Sequence, residues 1–449
     1  MRRFAIVVTI ASTAFAVWLI SQVSAEPISQ SDVAPAAASP SATPSQTPEE
    51  KAAEAKFRQR DFDGALQSLK EAVKKNPDLP SAYVILARWF FQVNTPAGAR
   101  NALERAVMES PEDPDAYVFL AEIAMSDRRV TEARLLFEKA NSLLANWKGS
   151  EKRRKVMQSE VYGGLAGTDE ARNRWVEAQK WLEAWLRLDP KSTAALQQIA
   201  QCLLQQKDEN GALAKLREAV KIDPEILQPE ATLAKFYAQT GQQKMAGKWM
   251  VEALKAAPRD LKTRLVAAQW AWENGQYEDA KKQADGAMKL DPKSIDAKML
   301  AGIIALFQKD YPRAELYFEA AHRQSPKAFA ASNNLALALA EQKDDAKRQL
   351  ALDYAEMNVK QNPKMAEAYS TYGWVLYRLG RLEEAEGALR NAASGGSFGA
   401  ETAYYLARVL ADRGGNDATA KQLLEGALKT NGPFAQREDA KALLEKLKK

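Results

Sequence analysis

The chain has 449 residues, with 63 basic and 58 acidic side chains and a formal net charge of +5. So small an excess over large opposing totals gives little electrostatic case for nucleic acid or an anionic membrane surface as partner. A single cysteine, Cys202, excludes an intramolecular disulfide, and a single histidine, His322, excludes a histidine-rich metal site.

The chain opens with Arg2 and Arg3, an apolar stretch from Phe4 to Ile20, and the small-residue pattern Val23-Ser24-Ala25. This is the layout of a secretory signal peptide over 1–25, cleaved after Ala25. If the segment is retained instead, residues 4–20 would serve as a membrane tether. Cleavage would remove Arg2 and Arg3 and lower the net charge from +5 to +3. No cysteine stands near the processing site, which rules out lipid anchoring there. On either reading the remainder is expected to be exported, periplasmic or otherwise associated with the cell envelope.

Residues 26–46 are rich in Pro, Ala and Ser and nearly devoid of large apolar side chains. Such a segment cannot bury enough surface to offset its ordering entropy, so a disordered linker is expected. Thr47-Pro48-Glu49-Glu50 then carries a helix start: a capping hydroxyl, proline at the first helical position and a carboxylate to close the capping box.

From there the chain keeps a beat. Alanines stand at 65, 99, 133, 178, 212, 246, 280, 314, 351, 385 and 420, mostly 34 residues apart. Prolines at 77, 111, 190, 224, 258, 292, 326 and 363 each follow one of them by twelve positions. A fixed period of this size means one supersecondary unit copied many times, each copy completing its neighbour's core. Pairs such as Asp189-Pro190 and Asn362-Pro363 end the second helix of a unit, because proline cannot extend the hydrogen-bond ladder.

Aligned on that beat, Tyr83, Leu86, Ala87, Phe90, Ala99, Leu103, Ala106 and Pro111 occupy positions 4, 7, 8, 11, 20, 24, 27 and 32 of one unit. Tyr117, Leu120, Ala121, Ala124, Ala133, Phe137 and Ala140 repeat the pattern, as do Tyr369, Tyr372, Gly373, Leu376, Ala385, Leu389 and Ala392. This resembles the tetratricopeptide repeat, an exported bacterial type, over roughly residues 46–433. The resemblance implies an all-α fold: a right-handed α-solenoid of about eleven antiparallel helix pairs over 47–433. Residues 434–449 are read as a C-terminal capping helix.

Three departures stand out. Position 4 turns polar in mid-array (Glu230, Arg264, Lys298, Ser332), which predicts looser packing there. Eleven extra residues precede Ala178, around 147–158, and a smaller widening precedes Ala351. The basic run Lys152-Arg153-Arg154-Lys155 falls in the larger break and is read as a solvated helix face; Trp147, Trp175, Trp181 and Trp185 around it are read as packing.

Catalytic machinery is hard to find. Cys202 and His322 are read as structural, and Gly163-Gly164 lacks the strand and lysine of a nucleotide loop. The chain is therefore expected to be no enzyme and to need no cofactor or metal.

The repeat geometry implied by the resemblance turns positions 2, 5, 9 and 12 of each first helix into a concave groove. These include Arg88, Phe91, Glu122, Trp272, Asn333, Trp374, Tyr377, Tyr404 and Arg408. Tyrosine, tryptophan and arginine most often dominate interface energy, so a partner peptide or helix is expected near Trp374, Tyr377, Tyr404 and Arg408. A carboxylate clamp of the chaperone-binding kind is not expected, since Val84, Arg88 and Val118 hold its positions. The expected function is a protein-interaction scaffold or adaptor. The alternatives are a scaffold for polysaccharide synthesis or export with glycan contact, and a regulatory subunit of an envelope enzyme.

Overall fold

The computed structural model describes residues 47–396, 398–430 and 432–448. The expected signal segment, its possible tether and the 26–46 linker lie outside the described residues. The chain separates into two compact units with their boundary between Ala246 and Gly247.

The described residues form 23 α-helices and no strand. The first unit holds α1 (Pro48–Arg58), α2 (Phe62–Lys75), α3 (Ala82–Gln92), α4 (Pro96–Glu109), α5 (Pro114–Ser126) and α6 (Val130–Leu144). It continues with α7 (Glu151–Glu170), α8 (Trp175–Leu188), α9 (Thr193–Gln205), α10 (Glu209–Ile222) and α11 (Pro229–Gln239). The boundary falls inside α12 (Gln243–Ala256). The second unit has α13 (Leu261–Glu273), α14 (Tyr277–Leu290), α15 (Ile295–Phe307), α16 (Tyr311–Gln324), α17 (Phe329–Ala340) and α18 (Asp345–Gln361). It ends with α19 (Ala366–Arg378), α20 (Leu382–Ala393), α21 (Ala400–Arg413), α22 (Asp417–Leu428) and α23 (Arg437–Lys448).

Within each unit an odd-numbered helix pairs with the even-numbered helix after it in a hairpin, and the first helices of neighbouring hairpins also touch, as α5 does α7 and α17 does α19. Short polar residues start the helices: Thr47 closes a capping box with Glu50, and Asp61, Asp208 and Asp310 each accept a backbone N–H from the first turn. All eleven alanines of the beat are fully buried. A side chain no larger than methyl lets the two helices of a hairpin close on each other.

A second 34-residue beat appears only in the backbone. The turn inside nine of the ten hairpins that lie within one unit carries a left-handed residue, and in six of them it is not glycine: Arg60, Asn94, Arg128, Asn173, Lys207 and Lys309. A tight reversal between antiparallel helices requires that conformation, and non-glycine residues adopt it at a cost of about 1 kcal/mol each.

The polar residues at position 4 do not loosen the array; they clasp it. The Arg217 guanidinium donates to Glu230 at 2.9 Å, Arg264 to Gln283 at 2.8 Å and Lys298 to Gln324 at 2.9 Å, while the Ser332 hydroxyl donates to Asn358 at 2.7 Å. A hydrogen bond to the facing second helix thus stands in for the bulky contact made elsewhere.

The eleven-residue break lengthens α7 to 20 residues. Its basic run is split: Lys152 and Lys155 are exposed, as a solvated face would be, whereas the two arginines turn inward. Arg153 donates to Asp113 and Asp115 at the start of α5 and lies 4.9 Å from the Trp147 ring centroid, and Arg154 donates to the Trp147 carbonyl. Trp185 is buried, so that part of the tryptophan group is packing. The break before Ala351 similarly lengthens α18 to 17 residues.

Gly163-Gly164 has a steric reason. A Cβ at Gly164 would lie 2.2 Å from the Phe137 ring, whereas one at Gly387, in α20, meets nothing within 4 Å. Gly164→Ala is therefore expected to destabilise by ~1–3 kcal/mol through overpacking. Gly387→Ala is expected to stabilise by up to ~1 kcal/mol. Urea titration of the two variants checks both signs.

Candidate functional site on the inner helices

In the second unit the carboxyl-terminal halves of α15, α17 and α19 and the middle of α21 converge on a cavity of about 290 Å³. Trp374, Tyr377, Tyr404 and Arg408 all line it, together with Glu341 and Lys309. The aromatic residues build the wall as a stack: Trp374 lies 4.2 Å from Tyr405 and 4.8 Å from Tyr377, nearly parallel to both. Polar groups lock it. The Trp374 indole N–H donates to Glu341 at 2.7 Å, the Tyr377 hydroxyl donates to Asp412 at 2.7 Å, and Arg408 donates to both Tyr377 and Asp412 at 3.0 Å. Burial raises the phenol pKa of Tyr377, Tyr404 and Tyr405, and pushes Tyr311 on the same wall up to about 12, so all four stay neutral at physiological pH.

The far wall of this cavity is the carboxyl-terminal segment. Ala435, Gln436 and Asp439 line it, Phe434 is buried with its ring edge-on to Tyr404, and α23 covers α22 through Ala440, Leu443 and Leu444. The expected capping helix is thus shorter than 434–449: its first three residues are not helical and lie against the inner helices. Sequence alignment did not single out Lys309, Glu341 or this segment. Lys309 and Glu341 stand at helix ends, off the groove positions. The one available signal was Phe434, an aromatic residue in an otherwise polar tail.

The other expected groove residues do not join this cavity. Trp272 is 3 % exposed and packs edge-on against Phe307 at 4.8 Å, so it fills a junction between hairpins. Asn333 is 1 % exposed, buried among the first helices rather than offered to solvent. Arg88 and Phe91 belong to the first unit. Phe91 is 44 % exposed, and the Arg88 guanidinium sits 4.9 Å from the Phe119 ring centroid.

Around Arg88 the first unit collects carboxylates. Glu122 on α5 and Glu160 on α7 are half-buried and close enough to act on each other and on Arg88. Burial, then the Glu160 charge, pushes Glu122 up to about 7 against the pull of Arg88; burial also raises Glu160. Farther along α7, burial lifts Glu170 to about 7, beside the Cys202 thiol at 3.7 Å. That thiol is fully buried and its pKa is raised by burial and by Glu170, which removes it as a nucleophile. His322 stacks edge-on against Tyr354, and burial lowers its pKa.

These carboxyl groups bind protons more tightly folded than unfolded. Their contribution to stability is present below the unfolded carboxylate pKa and is lost as pH rises from about 4.5 through 7. Wild type is expected to lose on the order of 1–3 kcal/mol per group across that window. In Glu122→Gln the pH slope should flatten, read from urea midpoints at pH 5 and pH 8.

Among the described residues, no group of three or more His, Cys, Asp or Glu side chains is arranged to hold a metal ion, and no helix is long and apolar enough to cross a membrane.

A family model of the tetratricopeptide repeat matches residues 51–99, 265–328, 300–356 and 344–400, and a second model of the same description matches 90–147. Together they span just over half of the chain. No curated protein matches. Among solved structures, a tetratricopeptide repeat protein from Parabacteroides merdae is 16% identical over 58% of this chain and 100% of its own, with a TM-score of 0.45. Yeast Tom70 is 16% identical over 89% of this chain and 95% of its own, with a TM-score of 0.35. The APC/C hetero-tetramer Cut9–Hcn1 gives 12% identity over 89% and 96%, with a TM-score of 0.41. Likenesses this distant transfer no partner. The repeated spacing, the paired helices within each unit and the family matches agree: the chain belongs to the tetratricopeptide repeat family.

Proposed function

We propose that the protein is a non-catalytic interaction scaffold of the cell envelope that takes an extended or helical segment of a partner protein on the inner helices of its second unit. The observation that carries this reading is the convergence of Trp374, Tyr377, Tyr404 and Arg408, from two hairpins, on one cavity. Residues of these types in a partly desolvated recess have the composition of an interface hot spot. Glu341, Lys309 and Arg378 add charged groups that fix the register of a bound segment. A glycan is favoured less, because two tyrosine rings already stack on Trp374. The envelope location rests on the leader pattern of residues 1–25.

A photoreactive amino acid at Tyr377, with one at the exposed Leu316 as control, tests the site in living cells. A discrete protein adduct is expected from position 377 and none from 316. The same adducts from both positions, or none from 377, would refute the site. Cell fractionation with amino-terminal sequencing tests the location: recovery in the cytoplasm with Met1 intact refutes export.

A further inference from the structure

We propose that the carboxyl-terminal segment from Phe434 to Asp439 occupies the partner site itself, and that the partner displaces it with a segment of the same pattern, an aromatic residue followed five positions later by a carboxylate. This rests on the reading of the inner helices above and adds to it the chemistry of the ligand and the manner of its entry.

The segment reaches far beyond the hairpin it follows. The Lys309 ammonium, at the turn between α15 and α16, donates to the Asp439 carboxylate at 2.9 Å across 130 residues of sequence. A helix that only covered α22 would have no contact there. Gln436 approaches the Tyr405 hydroxyl at 3.5 Å, Phe434 is buried against Tyr404, and the Arg437 charge acts on Tyr277 at the start of α14. The segment therefore meets the same aromatic wall that the proposed function assigns to a partner.

Phe434 apart, its hold is loose where it meets the inner helices. The Lys309–Asp439 pair is half-exposed on both sides, and such pairs contribute little and weaken with salt. The Gln436 contact stands at the limit of hydrogen-bonding distance, and its side-chain oxygen is buried with no hydrogen-bond partner among the described residues. A cavity of about 290 Å³ remains between the segment and the inner helices, more than a packed protein interior leaves. The anchor lies instead behind the segment. Arg437 donates to the carbonyls of Leu428, Thr430 and Gly432, tying the strap to its own root beside Gly432, whose φ is +106°.

The charges select the occupant. Arg378 and Arg408 are engaged by Glu341 and Asp412, while Asp439 is the only ionic partner of the Lys309 ammonium among the described residues. A replacing segment must therefore bring a carboxylate to Lys309 and an aromatic ring to Tyr404. An intramolecular occupant acts at high effective concentration, so a free competitor must bind better than the strap to displace it.

The test uses the full chain and a fluorescein-labelled synthetic peptide of residues 432–449, read by anisotropy. The double variant Phe434→Ala with Asp439→Lys should bind the peptide at least tenfold more tightly than wild type, and added Lys309→Asp should abolish the gain. A peptide carrying Asp439→Lys should recover binding to the Lys309→Asp form. Equal binding to wild type and the double variant overturns the proposal, as does a wild-type dimer in which each tail binds the other copy. If the double variant fails to fold by circular dichroism, Lys309→Met alone serves. Hydrogen exchange of the 434–439 amides should then accelerate about two- to fivefold, and unchanged exchange overturns the proposal. Failure here with a retained Tyr377 adduct removes the displacement and leaves the partner site standing; loss of both removes the site as well.

Discussion

Arg134→Ala is expected to be among the most destabilising substitutions in the first unit, costing about 3–5 kcal/mol. Arg134 on α6 meets Asp169 on α7 at 2.7 Å, and Asp169 is 1 % exposed. The same guanidinium donates to Glu138 at 2.6 Å and approaches the Thr168 hydroxyl at 3.4 Å. Truncating Arg134 leaves the Asp169 carboxylate out of water without its countercharge, and that penalty far exceeds the net worth of the pair. Removing both charges should cost much less. The double variant Arg134→Met with Asp169→Leu is expected to lie within ~1–2 kcal/mol of wild type, and a double-mutant cycle in urea measures the coupling. Additive single effects would show that the contact between α6 and α7 is not the source of the loss.

In the second unit, Trp374→Ala should cost about 3–5 kcal/mol, because the indole is 4 % exposed and stacks with two tyrosines. It also leaves the Glu341 carboxylate without its indole donor. Trp374→Phe keeps most of the packing and loses that charge-assisted bond, so ~1.5–3 kcal/mol is expected. Urea unfolding of the pair separates stacking from hydrogen bonding. The consequence for function is direct. Loss of partner binding in Trp374→Ala would report unfolding as much as recognition, so the proposed partner site is better probed at Tyr377 and Lys309, which stand nearer solvent.

How much of this was legible beforehand varies from residue to residue. The alanine beat identified the buried seam because a methyl-sized position between two helices tolerates nothing larger, and that constraint repeats wherever the hairpin repeats. The breaks were equally visible, since insertions shift the beat. Their form was not. Nothing in 147–158 says that the extra residues extend a helix, or that Arg153 turns back to Asp113 and Asp115. The left-handed turn residues escaped notice because six of them are Arg, Asn or Lys, whose identities do not announce the conformation. Trp374, Tyr377, Tyr404 and Arg408 could be grouped on one face beforehand because their spacing within each first helix is local. Trp272 and Asn333 satisfied the same spacing and are buried to much the same degree as Trp374 and Tyr404, yet they do not line this cavity, because that depends on which neighbours fill the space beside them.

The sequence by itself determined the hairpin, its period, the family and which residues share the inner positions of the first helices. Each follows from contacts within one repeat or between adjacent repeats, which recur at fixed offsets. Only the tertiary structure decided that Glu341, Lys309 and the tail share one cavity with the aromatic wall, and that Asp439 answers Lys309. Those contacts join positions many repeats apart. They depend on how small rotations between hairpins accumulate across the unit, and no local pattern encodes that sum.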